Sequence, residues 1–217
     1  MFLIENEIPV QGIVYRISKR SIDVILSLVA LVLLSPVFLV VWLTYKVSSS
    51  NRGPVIYRQQ RVGKNNHDFY ILKFRSMVVG ADEKLKADPK LYQQYLDNNY
   101  KLPPDLDPRI TQFGKWLRRS SVDELPQFVN ILRGDMSLIG PRPVVRDELS
   151  EYGNRVNKLL SVTPGAMGLW QASGRSNIGY PERCEMELYY VDHASFWFDV
   201  KIFFRNIFHI ATSDGAY

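Results

Sequence analysis

Cysteine is almost missing from this chain: among 217 residues there is one, Cys184. That excludes an intrachain disulfide framework and any cysteine-rich metal centre. Histidine is nearly as scarce. His67, His193 and His209 lie far apart with no ligand-like spacing, which argues against a zinc enzyme. No internal repeat or low-complexity tract is present. Acidic residues are outnumbered, 22 against 27 Lys and Arg, so the net charge is +5 and the pI is near 9.2. This balance points to an anionic partner such as phosphate, nucleic acid or a membrane surface. What the chain has in quantity is apolar surface. Hydrophobic residues make up 46% and aromatics 12%, enough for a sizeable core and against disorder. The length suits one domain. A mean hydropathy of −0.13 excludes a multispanning protein, although one segment belongs to a membrane.

That segment is Val24 to Val47, whose polar positions are Ser27, Ser35, Thr44 and Lys46. As a helix it reaches roughly 36 Å, enough to cross a bilayer core of about 30 Å. It is too long for a signal-peptide core, and no small-residue cleavage site follows it. Two features count against a plain span. Arg16, Lys19 and Arg20 precede it, and Lys46, Arg52, Arg58, Arg61 and Lys64 follow it. Both flanks are therefore basic, and both favour the cytoplasmic side. Ser35-Pro36 also lies near the middle, where Pro36 cannot donate a backbone hydrogen bond. A proline-kinked span fits the segment. So does a helix that enters, bends at Ser35-Pro36 and returns.

Residues 1–15 read as a leader of little content. Val55-Ile56-Tyr57 and Phe69-Tyr70-Ile71-Leu72 read as strands around the turn Gly63-Lys64-Asn65-Asn66. Ala81 to Tyr100 is polar and helix-prone. Gly114 to Arg119, Glu124 to Arg133, Val144 to Leu160 and Pro181 to Val191 are further helix candidates. The stretches through Pro143 and from Thr163 to Gly179 read as loops. Ser195 to Ile210 is amphipathic and aromatic, and suits either a membrane-interface helix or a core helix.

Chemistry concentrates at Asp123-Glu124. A structural account is available, since Ser121-x-x-Glu124 has the pattern of a capping box. Pro126 fits poorly in a helix capped at Ser121. Adjacent carboxylates on a helix point about 100° apart, so one can grip a metal while the other reaches a substrate. Carboxylates are hard ligands suited to Mg2+. The surroundings are basic. Arg52, Arg58, Arg61, Lys64, Lys73 and Arg75 face one acid, Asp68, in one stretch. Arg109, Lys115, Arg118, Arg119, Arg133, Arg142 and Arg146 surround Asp123, Glu124 and Asp135 in the next. Acids embedded among cations beside a membrane helix fit a phosphate substrate with a divalent metal. A basic face for anionic lipid would explain the cations but not the acids. Gly140-Pro141-Arg142-Pro143 holds Arg142 in a stiff loop.

Four motifs follow in order: Lys73-Phe74-Arg75-Ser76-Met77, Ser121-Val122-Asp123-Glu124-Leu125-Pro126-Gln127, Ser137-Leu138-Ile139-Gly140-Pro141-Arg142-Pro143, and Thr163-Pro164-Gly165 with Gly168-Leu169-Trp170-Gln171-Ala172-Ser173-Gly174-Arg175. From about Arg16 to Tyr217 the chain closely resembles the bacterial sugar transferases, the monotopic phosphoglycosyl transferases. The resemblance implies an α+β, mostly helical fold. It has a membrane-embedded re-entrant helix over about residues 22–47 broken at Ser35 and Pro36, amphipathic interfacial helices and a small β-hairpin. It implies transfer of a sugar-1-phosphate, a hexose-1-phosphate by the look of the Gly168-Leu169-Trp170-Gln171 stretch, from a UDP-sugar to undecaprenyl phosphate, with release of UMP. The position matching Asp123 is the nucleophile of a phosphosugar-aspartyl intermediate. Glu124 serves Mg2+ binding and catalytic support. By motif position Lys73, Arg75, Arg118 and Arg142, with Gln171 and Arg175, are the substrate-binding candidates. The implied partners are the UDP-sugar, the polyprenol phosphate and membrane lipid, without nucleic acid and with a homodimer as an option. The implied place is the cytoplasmic face of the bacterial inner membrane, at the start of exopolysaccharide, O-antigen or capsule assembly. The chain would be a short-form enzyme or the catalytic portion of a longer one. The rival accounts are a non-enzymatic membrane-anchored lipid-binding module and a membrane phosphatase or nucleotidyl transferase.

Overall fold

A computed structural model describes residues 11–48, 51–98, 102, 103, 105–173 and 178–212. The apolar amino-terminal segment forms two helices, α1 (Ile13–Leu33) and α2 (Ser35–Val47), bent by 55° at Leu34. The bend has a local cause. Pro36 has no N–H for the Val32 carbonyl four residues back, and Ser35 Oγ donates to that same carbonyl at 2.8 Å. The break is thus satisfied internally, as a low-dielectric setting demands. Among the described residues no single helix is long and apolar enough to cross a membrane; only the bent pair together passes that test. Helix α1 starts earlier than residue 22. Ile13 to Tyr15, read as part of a leader, form its first turn, and the Tyr15 hydroxyl donates to Asp199 Oδ2 at 2.8 Å.

The polarity of this pair is inverted. Asp23 and Ser27 are buried, whereas Ile25, Val29, Val32, Leu33, Leu39, Val40 and Leu43 are exposed. A helix on a water-soluble domain turns its apolar stripe inward. Here the polar groups face the protein. Asp23 Oδ1 accepts the Leu138 N–H at 2.9 Å, and Arg20 donates to the Ile131 and Leu132 carbonyls at 2.6 and 2.7 Å. At the far end of the pair, the Tyr45 hydroxyl donates to the Arg75 carbonyl. Both ends of the bent pair are therefore tied to the same body of protein.

That body begins with an antiparallel hairpin, β1 (Ile56–Val62) and β2 (Asp68–Phe74), in the register Ile56↔Phe74 to Val62↔Asp68. Its turn uses Asn65 and Asn66 at φ 55° and 63°, a conformation asparagine tolerates. The strands are longer than their apolar runs suggest. Helices α3 (Ala81–Lys86) and α4 (Pro89–Asp97) replace the single polar helix expected from Ala81. Pro89 cannot continue α3, and Asp88 caps α4 by accepting the Lys90 and Leu91 N–H groups at 3.1 Å. Next come α5 (Gln112–Arg119) and α6 (Gln127–Arg133), followed by a parallel pair, β3 (Ser137–Ile139) and β4 (Gly165–Met167). These two strands lie in segments that read as loops. They are too short, and too rich in flanking Gly and Pro, to carry a period-2 signal. The Val144–Leu160 candidate is not one helix. Residues Arg146–Arg155 wind as 3-10 turns broken at Gly153 (φ 52°), and only α7 (Val156–Leu159) is α-helical.

Helices α8 (Glu182–His193) and α9 (Phe196–Thr212) close the fold. Helix α9 meets both expectations in part. Ile202 and Asn206 are buried, while Trp197, Phe204 and Phe208 are exposed. The main core joins Phe69, Ile71, Ile131, Met136, Leu138, Ile139, Tyr190 and Ile202. A second cluster joins Val41 and Tyr45 of α2 to Phe74 and Leu117.

Gly114 sets how closely α5 approaches the segment after β2. A Cβ there would lie 1.8 Å from the Ser76 carbonyl oxygen. Gly114→Ala should therefore lower stability by about 3 kcal/mol, despite alanine's better helix propensity. Gly179→Ala, with nothing within 4 Å of its Cβ, should leave it within about 0.5 kcal/mol. Thermal unfolding in detergent compares the two directly.

Candidate active site

Asp123 and Glu124 sit on a 3-10 turn, Val122–Glu124, between α5 and α6. Ser121 enters it in the left-handed conformation at φ 56° and makes no side-chain capping bond, so the capping-box account does not hold. Helix α6 starts only after Pro126, which takes the N-cap position where its missing N–H costs nothing. The turn thus carries both carboxylates ahead of α6, and no helix starts at Ser121.

The two differ in environment. Asp123 is 9% exposed, whereas the Glu124 side chain is 39% exposed. Lys73, near the end of β2, places Nζ 2.7 Å from Glu124 Oε1. Arg118, in the last turn of α5, donates Nε to Ser76 Oγ at 2.8 Å. Burial, with the adjacent Glu124 charge, pushes the Asp123 carboxyl up to about 6, against the pull of Lys73 and Arg118. Burial therefore outweighs the neighbouring cations. At neutral pH the carboxylate form still dominates.

Lys73, Arg118, Asp123 and Glu124 form one group. Arg75 is placed differently from Lys73, two residues away. It is 7% exposed and donates Nε to the Pro54 carbonyl, Nη1 to that of Met77 and Nη2 to those of Asn51 and Arg52, at 2.6 to 3.1 Å. Its guanidinium also lies 5.2 Å from the Tyr45 ring centre. In this conformation four of its five N–H donors are committed to the backbone.

Arg142 and Gln171 belong to a second group around Trp170. The Arg142 guanidinium lies 5.8 Å from the Trp170 ring centre, and Gln171 donates Nε2 to the Ala166 carbonyl at 3.3 Å. Arg175 lies outside the described residues. The hairpin links the groups. Tyr57 pairs with Lys73 in the first, and Arg61, four residues further along β1, reaches the second by donating to the Pro143 carbonyl. Four residues of strand span about 14 Å. Sequence reasoning passed over Ser76, Arg183 and Glu187, and took Arg61 only as one cation of a basic stretch. Of these only Ser76 lay inside a quoted motif; the others are brought to the site by tertiary packing.

Among the described residues no three His, Cys, Asp or Glu side chains converge as metal ligands. The adjacent carboxylates of Asp123 and Glu124 are still a hard-oxygen pair. Such a pair suits Mg2+, which keeps most of its shell for water and substrate phosphates. A cavity of about 720 Å³ lies elsewhere, between the start of α1 and helices α8 and α9, and none of the expected site residues lines it.

The site is thus a buried carboxylate beside a second acid, an ammonium and a guanidinium, on a body whose helix pair turns its apolar side chains outward. The bacterial sugar transferase family profile matches residues 14–213, and the chain belongs to that family. It is 42% identical over 205 residues to the undecaprenyl-phosphate galactose phosphotransferase of Salmonella typhimurium, covering 93% of this chain and 42% of that protein. It is 41% identical over 213 residues to the exopolysaccharide production protein ExoY of Sinorhizobium fredii, covering 96% and 90%. It is 37% identical over 217 residues to the UDP-glucose:undecaprenyl-phosphate glucose-1-phosphate transferase of Escherichia coli, covering 96% and 43%. The chain thus spans less than half the length of several curated relatives and nearly all of ExoY.

Proposed function

We propose that this protein transfers a hexose-1-phosphate from a UDP-sugar to undecaprenyl phosphate. The observation that carries the reading is the buried, ionisable Asp123 beside Glu124 and Lys73. An Asp123 carboxylate oxygen attacks the β-phosphorus of the donor. A P–O bond forms, the bond to the bridging oxygen breaks, and UMP leaves with the electron pair. A phosphate oxygen of undecaprenyl phosphate then attacks the same phosphorus. The acyl-phosphate bond breaks, the Asp123 carboxylate is regenerated and the lipid diphosphate sugar departs. Two displacements through a covalent intermediate divide one difficult transfer. The names borne by the relatives in Salmonella typhimurium and Escherichia coli support this donor and acceptor.

The residues divide the work. Glu124, with Asp123 beside it, would hold Mg2+, which when bound supplies charge neutralisation for the diphosphate. Lys73 and Arg118 stabilise phosphate charge near Asp123, and Arg142 over Trp170 receives the phosphate or nucleotide end of the donor. Arg75 instead ties the Asn51, Arg52 and Pro54 carbonyls to that of Met77, next to Ser76.

Helices α1 and α2 form a re-entrant element on the cytoplasmic face. Support comes from the anchoring of both ends to one body, through Arg20 and Asp23 on one side and Tyr45 on the other. A spanning helix carries its ends to opposite faces. From Asp23 or Tyr45 to the bend is about 11 residues, or roughly 16 Å, close to one leaflet.

The test is intact mass spectrometry of the full chain with Mg2+ and either UDP-galactose or UDP-glucose, without lipid acceptor. A hexose-phosphate adduct on the wild type and none on Asp123→Asn is the expected result. An adduct that persists on Asp123→Asn removes Asp123 as the nucleophile. UMP release dependent on undecaprenyl phosphate, with no adduct under any condition, replaces the covalent route with direct transfer.

A further inference from the structure

The Pro141–Arg142–Pro143 loop is gripped through its backbone by charged side chains from distant parts of the chain. The Arg142 N–H donates to Glu187 Oε2 at 2.7 Å, and the Pro143 carbonyl accepts from Arg61 Nη1 at 3.1 Å. Two backbone bonds brace it from behind: Gly140 N–H to the Met167 carbonyl at 3.0 Å and Gly165 N–H to the Pro141 carbonyl at 2.7 Å. The Arg142 side chain is treated in the opposite way. Among the described residues its guanidinium makes no hydrogen bond or ion pair; the Trp170 ring centre lies 5.8 Å away, and its charge is felt at longer range by Glu187 and Arg61. The loop is fixed and its charge is left available.

Glu187 is an expensive way to achieve this. Its side chain is 1% exposed, and its nearest cation, Arg183, stands 3.6 Å from Oε1, beyond hydrogen-bond length. Arg183 is engaged instead with the rings of Trp170 and Tyr180, each centre 5.0 Å away. Glu187 Oε1 and Arg183 Nε and Nη2 are buried without hydrogen-bond partners. Well-packed apolar residues would stabilise this interior better than a loosely paired buried charge. The one short bond the Glu187 carboxylate makes is to the backbone of Arg142.

We propose, resting on the function set out above, that Glu187 is a positioning residue for Arg142. Its carboxylate fixes the Arg142 backbone while Arg61 fixes the next carbonyl. The free guanidinium then meets the phosphate–nucleotide end of the donor at little entropic cost. Glu187 does not touch the reacting atoms, so its loss weakens donor capture rather than the chemical step.

The experiment measures UMP release by the full chain in detergent, with undecaprenyl phosphate and UDP-galactose or UDP-glucose. Glu187→Ala, Glu187→Gln, Arg142→Ala and the Glu187→Ala/Arg142→Ala double variant are compared with the wild type. Glu187→Ala raises the donor KM about tenfold and leaves kcat within about threefold. Glu187→Gln keeps an acceptor oxygen in place and returns KM to within about threefold of wild type. In the Arg142→Ala background, Glu187→Ala adds nothing further to KM. Additive losses in the double variant, or a fall in kcat with KM unchanged, overturn the proposal and make Glu187 a general structural residue. If Glu187→Ala does not fold, the same cycle run with Arg61→Gln decides the matter, because Arg61 holds the other side of the loop. A wild type that releases no UMP with either donor overturns the function itself; wild-type turnover with additive variants overturns only the role of Glu187.

Discussion

Replacing Asp123 with Asn should abolish transfer and, at the same time, stabilise the protein. The loss of kcat is expected to exceed about a thousandfold, as for other nucleophiles removed from covalent mechanisms. The gain in stability has an independent origin. The Asp123 carboxyl is pushed up to about 6 in the folded protein, from 3.8. The folded state therefore holds the proton more tightly than the unfolded chain. Ionisation of Asp123 costs stability progressively as pH rises from about 4 to 6, and the full cost is present at pH 7. It is on the order of 2–3 kcal/mol. Asn carries no charge, so Asp123→Asn should melt several degrees higher at pH 7 or 8. At pH 4 the two proteins should melt together. Thermal unfolding across that range in one detergent makes the comparison. The same proton governs activity. The wild-type kcat/KM should fall tenfold per pH unit below about 6. An acid limb near pH 4 instead would mean that the cations, not burial, control this carboxylate. A basic lipid-binding module predicts a different outcome, in which Asp123→Asn leaves binding to anionic vesicles equal or improved and there is no transfer to lose.

Lys73→Ala and Arg75→Ala should fail for opposite reasons although they lie two residues apart in one motif. Lys73 pairs with Glu124 on side chains 21% and 39% exposed. A pair that open contributes under about 1 kcal/mol to stability. Lys73→Ala should thus fold normally and, on the proposed function, lose about tenfold to a hundredfold in kcat/KM, because a charge placed to meet phosphate is gone. Arg75 donates to four backbone carbonyls, of Asn51, Arg52, Pro54 and Met77, and packs on Tyr45. Removing it leaves buried acceptors unmet, at a cost of about 3–5 kcal/mol. Arg75→Lys should not rescue, since one ammonium cannot reproduce the fork of a guanidinium. Melting curves for the three variants, with UMP release measured well below each midpoint, separate the cases. Arg75→Ala with normal stability and a lost donor KM would return Arg75 to the substrate.

Motif position could not separate these two residues. Both are cations of one motif two residues apart, and which of them meets the backbone depends on where Asn51 to Pro54 and Tyr45 fold. Asp123 and Glu124 were legible because two acids stand in a basic stretch, but their difference was not. That difference comes from burial, which is a property of the packing of α2, β2 and α5 around the turn. Glu187 carried no signal, and Arg61 stood out only as one cation of a basic stretch, for they reach Arg142 and Pro143 across 45 and 82 residues of chain.

Some properties were decided locally. The bend at Leu34 follows from Pro36 and Ser35, since a missing N–H and a hydroxyl within one turn of its orphaned carbonyl are both written in adjacent residues. The hairpin turn at Asn65–Asn66, the break at Asp88-Pro89 and the stiffness around Arg142 have the same local character. Local steric and hydrogen-bonding rules act over a few residues, so the sequence by itself determines them. The parallel pairing of β3 with β4, the tying of both ends of the helix pair to one body, the raised affinity of Asp123 for its proton and the grip of Glu187 on Arg142 are different. Each depends on groups far apart in the chain meeting in a low-dielectric interior, where burial and long-range contact set the energies, and only the tertiary structure decides them.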